Sequence, residues 1–244
     1  MSYTTFAREL VLTGELDPLY TMLYRARDVK GDDWVKKFCM YLLMFYETEG
    51  AYQAAEVADF WDYVEAMYPT APRGSERRYF RGEAGVACYT SLRAQGGPIS
   101  AFQIPVRART LPEMWGVLNR LKIVGFGEYF LLKWVDLLNN VFEVDIDVSD
   151  LPRMLPSPPL KCLKTIFPGN TPREGLDEIV SWISDLDNPF SGHRKCGYSE
   201  AETVACAIPS YLIKGKYKLG DDIAKYHYQL RAHPELTYLL PTML

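Results

Sequence analysis

The chain has 244 residues and 27.9 kDa, with 48% hydrophobic and 14% aromatic residues, enough for one packed domain or two closely joined ones and too many for a disordered or low-complexity chain. Its 27 Lys+Arg against 31 Asp+Glu leave a net charge of -4, so no global basic field recruits a polyanion, and a nucleic-acid partner requires locally concentrated cations. The greasiest stretch, Phe38 to Tyr46, is too short to span a bilayer and ends at Glu47. The N-terminus lacks the basic-then-apolar order of a secretory signal. Five scattered cysteines, Cys39, Cys88, Cys162, Cys196 and Cys206, form no CxxC pair, which predicts reduced thiols, a cytoplasmic protein and no membrane partner.

In chain order, Trp34, Val35, Phe38, Cys39, Leu42 and Phe45 recur three and four apart, and so do Ala54, Val57, Ala58, Trp61, Val64 and Tyr68; both runs predict amphipathic helices. Pro69 to Gly74 breaks the pattern and predicts a loop. Thr110 with Glu113, Thr171 with Glu174 and Ser199 with Glu202 each place a hydroxyl three residues before a glutamate, ahead of an apolar-periodic run. This spacing predicts three capped helix starts. Val144 to Val148 alternates apolar and acidic residues, but it lies in a Pro-rich connection running to Pro159. The expectation is an all-α protein, a single unit over 1–244 with room for two helical lobes and a hairpin within 118–142.

Within that segment two glycines, Gly125 and Gly127, flank Phe126 between two amphipathic helices. Glycines so placed let backbone N–H groups approach an anion at the next helix N-terminus, where the helix dipole assists. An ordinary helix-helix turn containing glycine has the same signature. The densest cation cluster is Pro72-Arg73-Gly74-Ser75-Glu76-Arg77-Arg78-Tyr79-Phe80-Arg81-Gly82. Arg77 and Arg81 share a helix face by spacing, and with Arg73 and Arg78 nearby several guanidinium forks can converge on one polyphosphate.

The Leu-x-x-x-Gly-x-Gly hairpin, with Asp147 about twenty residues on, resembles the helix-hairpin-helix DNA glycosylase superfamily. That resemblance implies the fold and DNA as a partner. Tyr129 stands where some of those enzymes carry a nucleophilic lysine, and the four-cysteine iron–sulfur spacing is missing. A closer resemblance rests on Pro72 to Gly82, on the hairpin running into Lys133-Trp134-Val135-Asp136, on Glu202 to Cys206, and on Gly215-Lys216-Tyr217-Lys218-Leu219-Gly220-Asp221-Asp222. These segments look like bacteriophage amino acid:DNA transferases, the alpha-glutamyl/putrescinyl thymine pyrophosphorylases. Tyr79 and Ala207 depart from that pattern, which commonly has His and Lys there.

The resemblance implies that a pyrophosphorylated 5-hydroxymethyluracil in DNA exchanges its pyrophosphate for an amine or amino acid. The arginines Arg73, Arg77, Arg78 and Arg81 suit the leaving group, because preorganised cations aimed at developing charge supply much of such catalysis. A carboxylate acting as base keeps the attacking amine neutral. Asp136 is the first candidate, then Glu202 and Asp147, although pairing with Lys133, a capping box with Ser199 and a turn cap are the respective structural alternatives. Lys133 and Tyr217 are candidate substrate contacts, and Gly125, Phe126, Gly127, Lys216 and Lys218 candidate DNA contacts. No cofactor motif is evident, and a divalent metal accompanying the pyrophosphate is compatible with this chemistry. Two other readings stay open: a base-excising glycosylase using Asp147, and a non-catalytic DNA-binding module.

Overall fold

The computed structural model describes residues 1–71, 82–103, 107–125 and 127–243, and among these the regular structure is helical, with no strand. The all-α expectation holds. The helices are α1 Tyr3–Leu12, α2 Pro18–Lys30, α3 Asp32–Phe45, α4 Thr48–Glu56, α5 Phe60–Met67, α6 Gly82–Arg93, α7 Pro98–Gln103, α8 Leu111–Leu121, α9 Glu128–Phe142, α10 Ser157–Ile166, α11 Pro172–Ile183, α12 Tyr198–Ile208, α13 Asp221–Gln229 and α14 Pro234–Thr237. None of these is long and apolar enough to cross a membrane. The chain divides into two compact units, one of Met1–Tyr24 with Asp147–Leu244 and one of Arg25–Ile146.

In the unit Arg25–Ile146, α3 is the central helix, buried at Trp34, Val35 and from Phe38 to Phe45 and packed against α4, α7 and α9. The periodic run from Ala54 to Tyr68 is not one helix. Asp59 takes an extended conformation and its carboxylate accepts the Asp62 N–H at 3.0 Å, so α4 stops and α5 starts afresh, leaving Ala58 exposed. Arg27 ties the end of α2 to the end of α9 by donating to the Val141 carbonyl at 3.0 Å and lying over the Phe142 ring.

In the unit Met1–Tyr24 with Asp147–Leu244, α12 packs against α10 and α11, and α1 lies on α11. Arg8 grips the end of α11 through both oxygens of Asp185, at 2.6 and 2.9 Å, and the Trp182 carbonyl at 2.9 Å. The Thr110 and Thr171 caps form as the spacing predicts, with hydroxyls accepting from Glu113 N and Glu174 N. The third cap does not form. At α12 the boundary falls at Gly197, and Glu200 reaches back to the Gly197 N–H at 2.8 Å; Ser199 and Glu202 are already inside the helix.

Candidate active site

The hairpin between α8 and α9 is built from three backbone devices. Lys122, at φ 51°, ends α8 with its N–H on the Leu118 carbonyl. Ile123 is buried, and the Val124 N–H donates to Ser91 Oγ on α6 at 3.2 Å. Gly125 then turns at φ 80°, a region that side chains avoid. Gly127 is different: its φ is -95°, and among the described residues a Cβ there would meet nothing within 4 Å. Neither its conformation nor packing among the described residues calls for glycine at 127, and no described side chain caps the start of α9. An open, uncapped helix N-terminus with a bare backbone beside it suits an approaching anion. Phe126 and the arginines Arg73, Arg77, Arg78 and Arg81 lie outside the described residues.

Beside the hairpin, and within the same unit, is a cavity of about 1190 Å³ lined by Tyr68, Pro69, Ala71 and one face of α6. Ala71 and Gly82, which bracket the arginine segment in sequence, both line it. The Tyr68 hydroxyl donates to the Gly82 carbonyl at 2.8 Å and so fixes the wall where α6 begins. Ser91, another lining residue, is the one that holds the hairpin.

On α9, Lys133 and Asp136 pair at 3.2 Å with side chains only 13% and 14% exposed. Tyr129, Lys133, Asp136 and Asn140 follow one another at helical spacing, so they form a polar stripe on a helix otherwise committed to the core through Phe130, Leu131, Trp134, Val135 and Leu138. The Lys-Trp-Val-Asp segment therefore sorts its residues by face: Trp134 packs on Phe102 in the core, while Lys133 and Asp136 stay together on the polar side.

The other unit holds the remaining carboxylates. Asp147 is exposed, and its two oxygens accept the Ser149 N–H at 2.8 Å and the Ser149 hydroxyl at 3.0 Å, the turn-capping geometry. Glu200 and Glu202 are two residues apart with opposite surroundings. Glu200 is fully sealed and satisfied by Arg194, by Asn188 at 2.8 Å and by the Gly197 N–H. Glu202, 6% exposed, has among the described residues one hydrogen-bond partner, the Cys206 thiol, 3.3 Å from its Oε1. The capping box takes Glu200 and not Glu202.

The Gly-bounded loop with Lys216, Tyr217 and Lys218 is fastened to the π turn Pro209–Ile213 that continues α12. The Ser210 carbonyl accepts the Lys216 N–H at 2.8 Å. Lys216 lies over the Tyr217 ring, which also contacts Tyr211 at 5.7 Å between centroids. Beneath the loop is a cluster that the sequence does not signal. Glu15, 1% exposed, accepts the N–H groups of Asp222 at 2.7 Å and Ile223 at 3.3 Å, capping α13 from a distant part of the chain. The Tyr211 hydroxyl lies 3.2 Å from Glu15 and 3.0 Å from Asp222, with one proton to give to two carboxylates. Burial pushes the Glu15 pKa up, against the lowering effect of the two N–H donors. Burial and the two carboxylates likewise push the Tyr211 phenol up. Nothing in periodicity or spacing marks Glu15, which follows Gly14 between two helices.

Asp136 and the hairpin thus belong to one unit, and Asp147, Glu202 and the Lys216–Lys218 loop to the other. Among the described residues no group of three or more His, Cys, Asp or Glu side chains could hold a metal ion. Comparison with known proteins decides the class: residues 11–211 match the family described as amino acid:DNA transferase. The chain belongs to that family. It is also similar to a putrescinyltransferase of Delftia phage PhiW-14, at 23% identity over 254 residues covering 98% of this chain and 81% of the relative. The protein is therefore a transferase that acts on DNA, and both the hairpin and the polar stripe of α9 fall within the matched region.

Proposed function

We propose that this transferase replaces the pyrophosphate of a pyrophosphorylated 5-hydroxymethyluracil in DNA with an amine or amino acid. The nitrogen of the neutral donor attacks the methylene carbon on C5, the carbon–oxygen bond breaks, pyrophosphate departs with the bonding pair, and the surplus amine proton passes to a carboxylate. Arg73, Arg77, Arg78 and Arg81 bind the departing pyrophosphate, since fixed guanidinium groups favour the state in which charge gathers on its oxygens. Asp136 is the base and Lys133 orients it, with the Gly125–Gly127 hairpin on a DNA phosphate.

The observation that supports this reading is the cavity, because Ala71 and Gly82, the described residues on either side of the arginine segment in sequence, line it and Ser91 of its wall holds the hairpin. On this reading the phosphate grip and the space for reactants share one unit. The relative's printed name, putrescinyltransferase, accords with an amine donor. Excision by Asp147 is less well supported, since Ser149 occupies both carboxylate oxygens. Glu202, Tyr217, Lys216 and Lys218 are assigned to supporting contacts with substrate and DNA.

The test is to incubate duplex DNA carrying the pyrophosphorylated base with the protein and an amine. Free pyrophosphate without alkali-labile sites is the expected result. Alkali-labile sites without pyrophosphate identify a glycosylase, and binding without either product identifies a DNA-binding module.

A further inference from the structure

Residues 213–218, at and after the end of the π turn Pro209–Ile213, are all exposed, and Lys214, Lys216 and Lys218 stand among them with no acidic residue between. In a chain of net charge -4 this is a local cationic surface. Its backbone is nonetheless fixed. The Pro209 carbonyl accepts the Lys214 N–H at 3.0 Å, the Ser210 carbonyl the Lys216 N–H at 2.8 Å, and the Asp221 carboxylate the Lys218 N–H at 2.8 Å. Both ends of the loop meet at one buried residue, because Glu15 accepts from the Tyr211 hydroxyl before it and from the Asp222 and Ile223 N–H groups after it. Tyr211, itself packed on Phe6, supports the Tyr217 ring, which stays 40% exposed.

A loop that only links two helices needs neither an aromatic ring seated at the surface nor lysines on both sides of it. Those groups match what a single strand of nucleic acid presents, phosphates for the ammonium groups and an uncovered base for the ring. A duplex covers its base faces by stacking and offers such a loop the phosphates alone. Lys216 lies over the Tyr217 ring at 4.9 Å, but an exposed cation–π contact is weaker than base–aromatic stacking, so an arriving base displaces the ammonium towards its own phosphate. We infer that the loop 214–218 is a contact for single-stranded DNA, with an unstacked base on Tyr217, backbone phosphates on Lys214, Lys216 and Lys218, and Glu15 as the positioning residue that holds the loop in shape. The inference deepens the supporting role given to this loop above. It rests on the chain acting on DNA and not on which group leaves or which donor attacks.

Fluorescence anisotropy with an unmodified single-stranded oligonucleotide and with its duplex, each over a range of salt concentrations, tests this without the transfer reaction. Tyr217→Leu should weaken single-strand binding about tenfold, the loss of one stacked base, and duplex binding much less, whereas Tyr217→Trp should retain it. Changing Lys214, Lys216 and Lys218 together to Gln should lower the single-strand salt slope by about 2, since each phosphate contact contributes about 0.7. Lys161→Gln, at an exposed lysine of α10, is the charge control and should leave the slope unchanged. Glu15→Ala should weaken single-strand binding more than duplex binding, and Glu15→Gln, which keeps an acceptor for the loop ends, should restore most of the loss; a change that merely loosens the fold lowers both affinities alike. The Tyr217 and lysine variants, all at exposed positions, keep the test intact should Glu15→Ala fail to fold. Single-strand affinity unchanged in Tyr217→Leu, or lost equally for single strand and duplex, overturns the assignment and leaves the transfer reaction standing. Absence of pyrophosphate release from modified DNA, with these binding differences present, sinks the reaction and leaves the contact.

Discussion

Lys133 Nζ and Asp136 Oδ2 lie 3.2 Å apart on one turn of α9, each side chain mostly withdrawn from solvent. A pair so placed fixes the position of the aspartate, and position is what the proposed role of proton acceptor for an incoming amine needs first. Asp136→Asn keeps the shape and removes the basicity. Its turnover should fall about a hundredfold or more, while its thermal midpoint stays close to that of the wild type. Turnover within a few-fold of wild type would move the base elsewhere, with Glu202 next.

The two hairpin glycines should respond differently to the same change. Gly125→Ala forces a side chain into φ 80° and should cost about 1–2 kcal/mol of stability. Gly127→Ala meets no obstruction among the described residues and no forbidden angle, so stability should be nearly unchanged while duplex affinity falls, if backbone approach to phosphate is what keeps the position bare. Denaturant midpoints and salt-dependent binding isotherms for the two variants separate these effects. Equal DNA affinity for Gly127→Ala and the wild type removes the phosphate role.

The helical periods legible in sequence gave α3, α8, α9 and α11 with their faces, because those stripes are long and their caps local. Residues 54–68 misled because Asp59 breaks a helix without disturbing the apolar period: Trp61 and Val64 of α5 continue the spacing of Ala54 in α4. The cap at Ser199 misled for a similar reason. Glu200 and Glu202 are both near a helix start, and only the position of Arg194 and Asn188 in space shows which of them is occupied. The pairing of Lys133 with Asp136, the structural alternative to a catalytic role, was legible because the two lie three residues apart on one helix. Glu15 was not, since its partners are about two hundred residues away in the chain.

Glu15 should make stability pH-dependent in a direction opposite to that of a paired surface carboxylate. Its pKa is raised in the folded protein, so the folded state holds the proton more tightly than the unfolded chain. The resulting stabilisation is full below the unfolded value of 4.5 and is lost as pH rises through the folded value. Glu15→Gln abolishes this titration, so urea midpoints of the variant should improve relative to wild type as pH rises from 4.5 towards neutrality. Glu15→Ala, which strips the first N–H groups of α13 of their acceptor, should instead cost about 1–3 kcal/mol at neutral pH. A constant difference between Glu15→Gln and wild type across that range contradicts the burial argument.

Arg77→Lys and Arg81→Lys preserve charge and lose the planar fork. If these side chains grip pyrophosphate, each variant should lose about a hundredfold in turnover with little change in duplex affinity. Unchanged rates in both would return the segment to an ordinary solvated basic surface.

The central claim is that a nitrogen replaces a pyrophosphate on a base that stays in the DNA. The most direct measurement is mass spectrometry of nucleosides after reaction with a 15N-labelled amine, alongside quantification of released pyrophosphate. The account predicts one labelled donor molecule, with all of its nitrogens, in each modified nucleoside and one pyrophosphate released for each. A free base with abasic DNA, or pyrophosphate released without nitrogen in the nucleoside, would contradict it.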